Sequence, residues 1–192
     1  MPTIRVGMIR KIGVIPVFLA FLMVFAVVRL VAGGSIERWV AIHSGLDGDA
    51  VGCCPIALDG SGNVYVTGTS QSPTTGRDFG IIKYDTNGNE LWSVFYNGPD
   101  SLADESRALT LDSWGNIYVT GTSEGATTDK DYATIKYDTN GNELWSARYN
   151  GPDSLADESR ALVLDSSGNT YVTGISWASA TGTDFVTVKR PN

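Results

Sequence analysis

Few side chains in this chain could do chemistry, and most of those occur twice. The acidic stretch Asp100-Ser101-Leu102-Ala103-Asp104-Glu105-Ser106-Arg107 returns unchanged from Asp153 to Arg160. Repetition could set equivalent carboxylates on one face, where oxygen donors would suit Ca²⁺ or a basic or sugar ligand. The same side chains could instead cap turns and pair with Arg107 and Arg160. Glycoside hydrolysis needs two carboxyl groups whose surroundings push their pKa values apart, and near-identical loops offer near-identical surroundings. The candidate ligand-binding residues are therefore Asp100, Asp104, Glu105, Asp153, Asp157 and Glu158, joined by Trp177, an aromatic in an otherwise polar loop.

The remaining candidates point away from catalysis. His43 is the one histidine. A nucleophile–base pair would need a Ser, Cys or Thr held beside it, and no strand-to-helix elbow supplies one. At the repeat offset described below it aligns with Tyr96 and Tyr149, which favours packing. Cys53 and Cys54 are the only cysteines. They leave open a strained vicinal disulfide, a bond to another chain, or two partly buried thiols, but at this spacing they make no zinc site. Asp85-Thr86-Asn87-Gly88-Asn89-Glu90 has its Gly fourth, whereas a helix–loop–helix calcium site needs it sixth with a Glu six further on. Gly62 to Gly68 lacks the lysine and following helix of a phosphate loop. No catalytic residue, metal site or cofactor is assigned, and Ca²⁺ at the acidic loops is the one metal alternative.

These residues sit in a repeat. Asp85–Leu111 returns as Asp138–Leu164 with changes only at Val94/Ala147, Phe95/Arg148 and Thr110/Val163, an offset of 138 − 85 = 53 residues. A period of that size signals a supersecondary unit stacked on copies of itself. Four short β-rich runs recur, here called A to D. Runs A and B flank Asp59-Gly60-Ser61-Gly62-Asn63 and its copies at Asp112 and Asp165, where Gly suits a tight reversal and Asp can bond the turn amides. Runs C and D flank Asn87-Gly88 and Asn140-Gly141, a strong hairpin signal because both residues accept left-handed φ. Phe79, Ile81, Ile82 and Tyr84 put apolar bulk on both faces of run C, as a sheet sandwiched between neighbours requires. Trp39, Trp92 and Trp145 share one register on run D.

No sustained helical periodicity occurs after the N-terminal segment, so the expected class is all-β: a propeller-like array of about three four-stranded antiparallel blades. Its repeats run roughly over 38–90, 91–143 and 144–192 within a domain at 34–192. The chain enters at a lone D around Trp39, continues A-B-C-D twice, and closes on A-B-C. In a meander the B–C and D–A connections share one end, so a ligand surface would combine the variable B–C loops with the acidic ones.

The segment Leu111-Asp112-x-x-Gly115-Asn116-Ile117-Tyr118-Val119-Thr120-Gly121, followed by Asp131 to Asp138 and then Asn140-Gly141-Asn142-Glu143-Leu144-Trp145, resembles the SBBP type of bacterial β-propeller repeat. The likeness runs from Arg38 to Lys189. It implies an exported or surface protein of bacterial type and supplies no catalytic signature. Two departures stand out: Cys53-Cys54-Pro55 replaces Ser106-Arg107-Ala108, and three blades are fewer than a ring of this kind uses. The unit is then either an open arc or half of a six-bladed ring closed by a homodimer.

Composition bounds the rest. Formal charge is −7 with 14 basic and 21 acidic side chains, without the clustered Lys and Arg that a nucleic-acid partner demands. Arg5, Arg10 and Lys11 precede an apolar run from Ile12 to Val28, and Ala32, Gly33 and Gly34 follow. This reads as a leader helix over residues 1–33, a signal peptide or an uncleaved membrane anchor. Its seventeen residues reach roughly 25 Å, short of a ~30 Å hydrocarbon core. The expected function is an exported, secreted or cell-surface, non-enzymatic module with a structural role or a protein or glycan ligand. The alternatives are a secreted hydrolase or lyase using loop carboxylates, and a non-functional fragment of a larger propeller protein.

Overall fold

The computed structural model describes residues 38–44, 50–52 and 55–192. The leader expected over residues 1–33 and the pair Cys53 and Cys54 lie outside them. The described residues form three antiparallel sheets. The first holds β1 (Ala50–Val51), β2 (Ile56–Leu58), β3 (Val64–Ser72), β4 (Gly76–Tyr84) and β5 (Glu90–Tyr96). The second holds β6 (Asp104–Leu111), β7 (Ile117–Gly125), β8 (Asp129–Tyr137) and β9 (Glu143–Tyr149), in that order. The third holds β10 (Asp157–Leu164), β11 (Thr170–Ala178) and β12 (Gly182–Arg190). Each sheet is an up-and-down meander, as the turn signals predict.

Two details differ from the expected strand plan. β1 and β2 both pair with β3, through Ala50↔Ser70 and Ile56↔Val66, so they are two pieces of one outer strand. Their equivalents in β6 and β10 run through but bulge, between Ser106 and Ala108 and between Ser159 and Ala161. In the first sheet Pro55 lacks an N–H to donate, and its carbonyl accepts the Thr67 amide at 3.0 Å. The expected D strand around Trp39 is the second difference: Arg38–Ser44 belongs to no strand. Among the described residues no run C lies beside it, and Trp39 and Ala41 pack its side chains on the first sheet.

Turn chemistry explains why the meanders form where they do. Asp59 accepts the amides of Ser61 and Asn63, both at 2.9 Å, and the Asn63 side chain at 2.7 Å. Asp112 and Asp165 repeat this arrangement. The Asn-Gly hairpins are present, but with a different backbone from the expected one. Only Gly88 and Gly141 take positive φ, 83° and 85°, while Asn87 and Asn140 do not. The turn is closed by Gly88 N–H donating to the Asp85 carbonyl at 3.1 Å, and by the Asp85 carboxylate accepting the amides of Asn87 and Asn89 at 2.8 and 2.9 Å. The aspartate at the turn entry thus fixes its type.

Strand alternation then fills both faces of the central sheet. Ile117, Val119, Ala133, Ile135 and Tyr137 face the first sheet and meet Tyr65, Phe79, Ile81 and Tyr96. On the opposite face Tyr118 and Tyr132 meet Leu162 and Val172 of the third sheet. The outer face of the first sheet, Val64, Ile82 and Tyr84, receives Trp39 and Ala41. The apolar bulk on both faces of run C is thereby accounted for in the first two sheets: the central sheet is pressed between two neighbours, and the first between the central sheet and the Trp39 segment.

Candidate functional site

The loop end that the sequence singles out is built from the backbone upward. Between β5 and β6, Ser101 N–H donates to the Gly98 carbonyl at 3.1 Å, with Ser101 at φ 52°. Between β9 and β10, Ser154 does the same to Gly151 at 3.3 Å with φ 51°. Asn97 and Asn150 brace these turns by donating to Ser101 Oγ and Ser154 Oγ, each at 3.0 Å. Wholly buried Asp104 accepts Gly98 N–H at 2.6 Å, and wholly buried Asp157 accepts Gly151 N–H at 2.5 Å.

Each connection also clips the next blade's B–C loop. Glu124 and Trp177 donate their amides to the carbonyls of Ala103 and Ala156, at 2.9 and 3.1 Å. Asp100 accepts the Ala126 amide at 3.1 Å, and Asp153 accepts the Ser179 amide at 2.7 Å. The structure therefore brings the acidic connections and the variable loops together at one end. Glu105 pairs with Arg107 at 2.8 Å and, across the first joint, with Arg77 at 2.5 Å. Glu158 pairs with Arg160 at 2.5 Å. Of the candidate residues, Asp104 and Asp157 face inward, Asp100 and Asp153 stay exposed while holding loop amides, and Glu105, Glu158 and Trp177 are half-buried.

Burial is the first cause of the electrostatics here. It pushes the Asp104 carboxyl above its ordinary value against the opposing Gly98 hydrogen bond, and it also raises Asp78, whose Oδ2 accepts the Thr75 hydroxyl at 2.7 Å. Asp131 and Asp184 repeat the Asp78 role toward Thr128 and Thr181. Arg148, at one of the three positions where the long copies differ, bonds Asp131 at 2.6 Å and the Ser123 carbonyl at 3.0 Å. Among the described residues, no group of three or more His, Cys, Asp and Glu side chains converges on a point that could hold a metal ion.

Sequence reasoning missed three features of the fold. Asp78, Asp131 and Asp184 recur at the offset of 53 but lie outside the acidic stretch. Arg148 is legible only as a difference between copies. The most exposed tryptophan is Trp114, at 67 %, on a β6–β7 turn at the opposite end from Trp177. His43 packs on Phe95 with ring centroids 6.0 Å apart, and its Nδ1 lies 3.4 Å from Glu90 Oε2 without hydrogen-bond alignment. His43 and Phe95 line an apolar cleft of about 290 Å³ on the outer face of the first blade, away from the loop carboxylates.

Antiparallel blades of one pattern, stacked face to face at a fixed period, define a propeller-type all-β protein. The family model described as SBBP, beta-propeller repeat, matches residues 56–73, which cover β2, the Asp59 turn and β3. The match bears out the resemblance read from the motifs: residues 56–73 are similar to the SBBP-type β-propeller repeat, and residues 109–126 and 162–179 follow the same pattern at the offset of 53. No curated protein matches the chain in sequence.

Proposed function

We propose that the chain is an exported, non-enzymatic propeller module that offers its loop end to a protein or glycan ligand. The observation that carries this reading is the use made of the repeated carboxylates. Asp104 and Asp157 hold backbone amides inside the joints, and Asp100 and Asp153 clip loops. Groups committed to the backbone in this way are poor candidates for general acids or nucleophiles, which need a free edge toward substrate. Around them, Ser123–Thr128 and Ser176–Thr181 differ in side chain on a common backbone frame, the arrangement by which loops on a rigid scaffold acquire specificity. Export rests on the N-terminal leader pattern.

The test exposes the protein to a panel of soluble polysaccharides and of immobilised proteins. Binding and reducing-end release are read on the same samples, with N-terminal sequencing of the secreted product. Saturable binding without release, and a new N-terminus near Gly34, are expected. Turnover by the wild type that is lost in Asp100→Asn, or retention of the chain inside the cell, would overturn the reading.

A further inference from the structure

The two internal joints share a common plan of contacts. Phe79 lies over Gly121 so closely that an added Cβ there would stand 2.6 Å from the ring, and Tyr132 lies over Gly174 with its hydroxyl 2.8 Å from such a Cβ. Lys83 donates to the Thr139 carbonyl at 3.1 Å, and Lys136 donates to Asn192 Oδ1 at 2.6 Å, one period on. Trp92 packs on Gly141 of the following hairpin as Trp39 packs on Gly88.

The same parts lie unpaired at the two ends of the array. Phe185 is the third member of the series Phe79, Tyr132, Phe185 (79 + 53 = 132; 132 + 53 = 185). The first two are 0 % and 2 % exposed, while Phe185 is 93 % exposed. Its counterpart, Gly68, is the first of the series Gly68, Gly121, Gly174 and lines the apolar cleft of about 290 Å³ on the first blade, with Val64, Val66 and Ile82. Among the described residues, one end thus presents a bulky ring without a seat, and the other a seat without a ring. The strands are matched in the same way. Among the described residues, β12 is the edge of a three-stranded sheet that lacks a D strand, and Arg38–Ser44 occupies the D position against the first blade without a C strand to pair with.

We infer that two copies of this chain join head to tail at both ends and close a ring of 2 × 3 = 6 blades, with Arg38–Ser44 of each copy completing the third blade of the other. A heterologous contact of this kind closes into a ring when its rotation allows, and six blades fall within the usual four to eight. Closure removes the open edge of β12 and seats Phe185 over Gly68 of the second copy. The register follows from β4 and β5, where Ile81 faces Val94 and Phe79 faces Tyr96. Shifted by whole periods, Thr187 faces Ala41 of the second copy (81 + 106 = 187; 94 − 53 = 41), and Phe185 faces its His43. The inference stands on blade packing alone and is independent of what the loop end binds.

The test uses full-length chains in which Cys53 and Cys54 are replaced by Ser. Two differently tagged forms are co-expressed, one carrying Ala41→Cys and the other Thr187→Cys, since directly opposed strand positions place Cβ atoms about 4.5–5.5 Å apart, near disulfide reach. On mild oxidation, a disulfide-linked species containing both tags is expected. Ser113→Cys in place of Ala41→Cys gives none, and Phe185→Asp added to the Thr187→Cys chain abolishes the link while leaving its far-UV circular dichroism unchanged. Sedimentation of the unlinked wild type gives twice the mass of the chain in denaturant, at a concentration-dependent fraction. No linkage at Ala41 and Thr187, linkage that survives Phe185→Asp, equal linkage from Ser113→Cys, or species that grow beyond two chains would overturn the closed pair.

Discussion

Asp104 reaches back six residues, from a position with no solvent exposure, to accept the backbone N–H of Gly98 at 2.6 Å. Gly98 is equally constrained, because a Cβ at that position would stand 2.5 Å from Ser123 Oγ and 2.8 Å from Asp104 Oδ1. The pair welds a blade-to-blade connection to the first residue of the next blade, and Asp157 with Gly151 repeats it. Asp104→Ala strips a buried amide of its charged acceptor, so a loss of about 2–3 kcal/mol is expected, read as a lower urea midpoint with the slope unchanged.

The acidic side chains separate into two classes by pH. Burial raises the folded pKa of Asp104 above its unfolded value near 3.8, so the native state holds this proton more tightly. Its contribution is fully present below 3.8 and is lost as pH rises through the folded pKa. Asp85 and Asp138 run the other way. Hydrogen bonds from Asn89 and Asn142 lower their pKa values below 3.8, so their contribution is present above 3.8 and is lost as pH falls through the folded values. Asp104→Asn should remove the decline on the rising side, and Asp138→Ala should reduce the acid-side loss. Thermal melts of the two variants and the wild type across this range measure both.

Close approach at the joints makes one glycine indispensable and another dispensable. A Cβ at Gly121 would meet the Glu105 carbonyl oxygen at 2.1 Å and Phe79 at 2.6 Å, whereas at Gly60 nothing lies within 4 Å. Gly121→Ala is expected to cost about 3 kcal/mol or more, the upper range for overpacking. Gly60→Ala should stay within about 0.5 kcal/mol, as surface changes do. Denaturant unfolding of the pair decides it.

Equivalent aromatics should respond oppositely to truncation. Phe79→Ala empties a packed core position and should cost about 3–5 kcal/mol. Phe185→Ala, at 93 % exposure, should leave the single chain's stability within about 0.5 kcal/mol and act only on association. Unfolding measured at a dilution where only single chains exist checks both.

Much of this architecture is legible in the sequence because period and turn chemistry are local. The offset of 53, the Asp59-type turns and the two-faced run C all follow from residue types in order, and the sheets form where those signals fall. What lies beyond reach depends on what covers a residue. Phe79 and Phe185 are the same residue type at the same point of the repeat, and only the next blade distinguishes buried from exposed. Asp100 and Asp104 lie four residues apart in one acidic stretch, and only the fold turns one outward and the other into a joint. Arg38–Ser44 carries a D-strand pattern but has no neighbour to pair with among the described residues, so the pattern alone does not make a strand. Trp114 reads as one more turn residue, and its exposure depends on the sheet ending beneath it.

Hydrogen exchange tests the central claim, that equivalent blade joints are filled inside the described array and left open at its ends, most directly. Amides of β7 and β8, between two neighbours, should exchange slowest at every protein concentration. Amides of β12 should exchange fast in dilute solution and slow down as concentration rises and the second copy supplies its Arg38–Ser44 segment. Rates in β12 that are as slow as those of β7 when dilute and indifferent to concentration, or faster exchange in the central blade than in the third, would contradict the account.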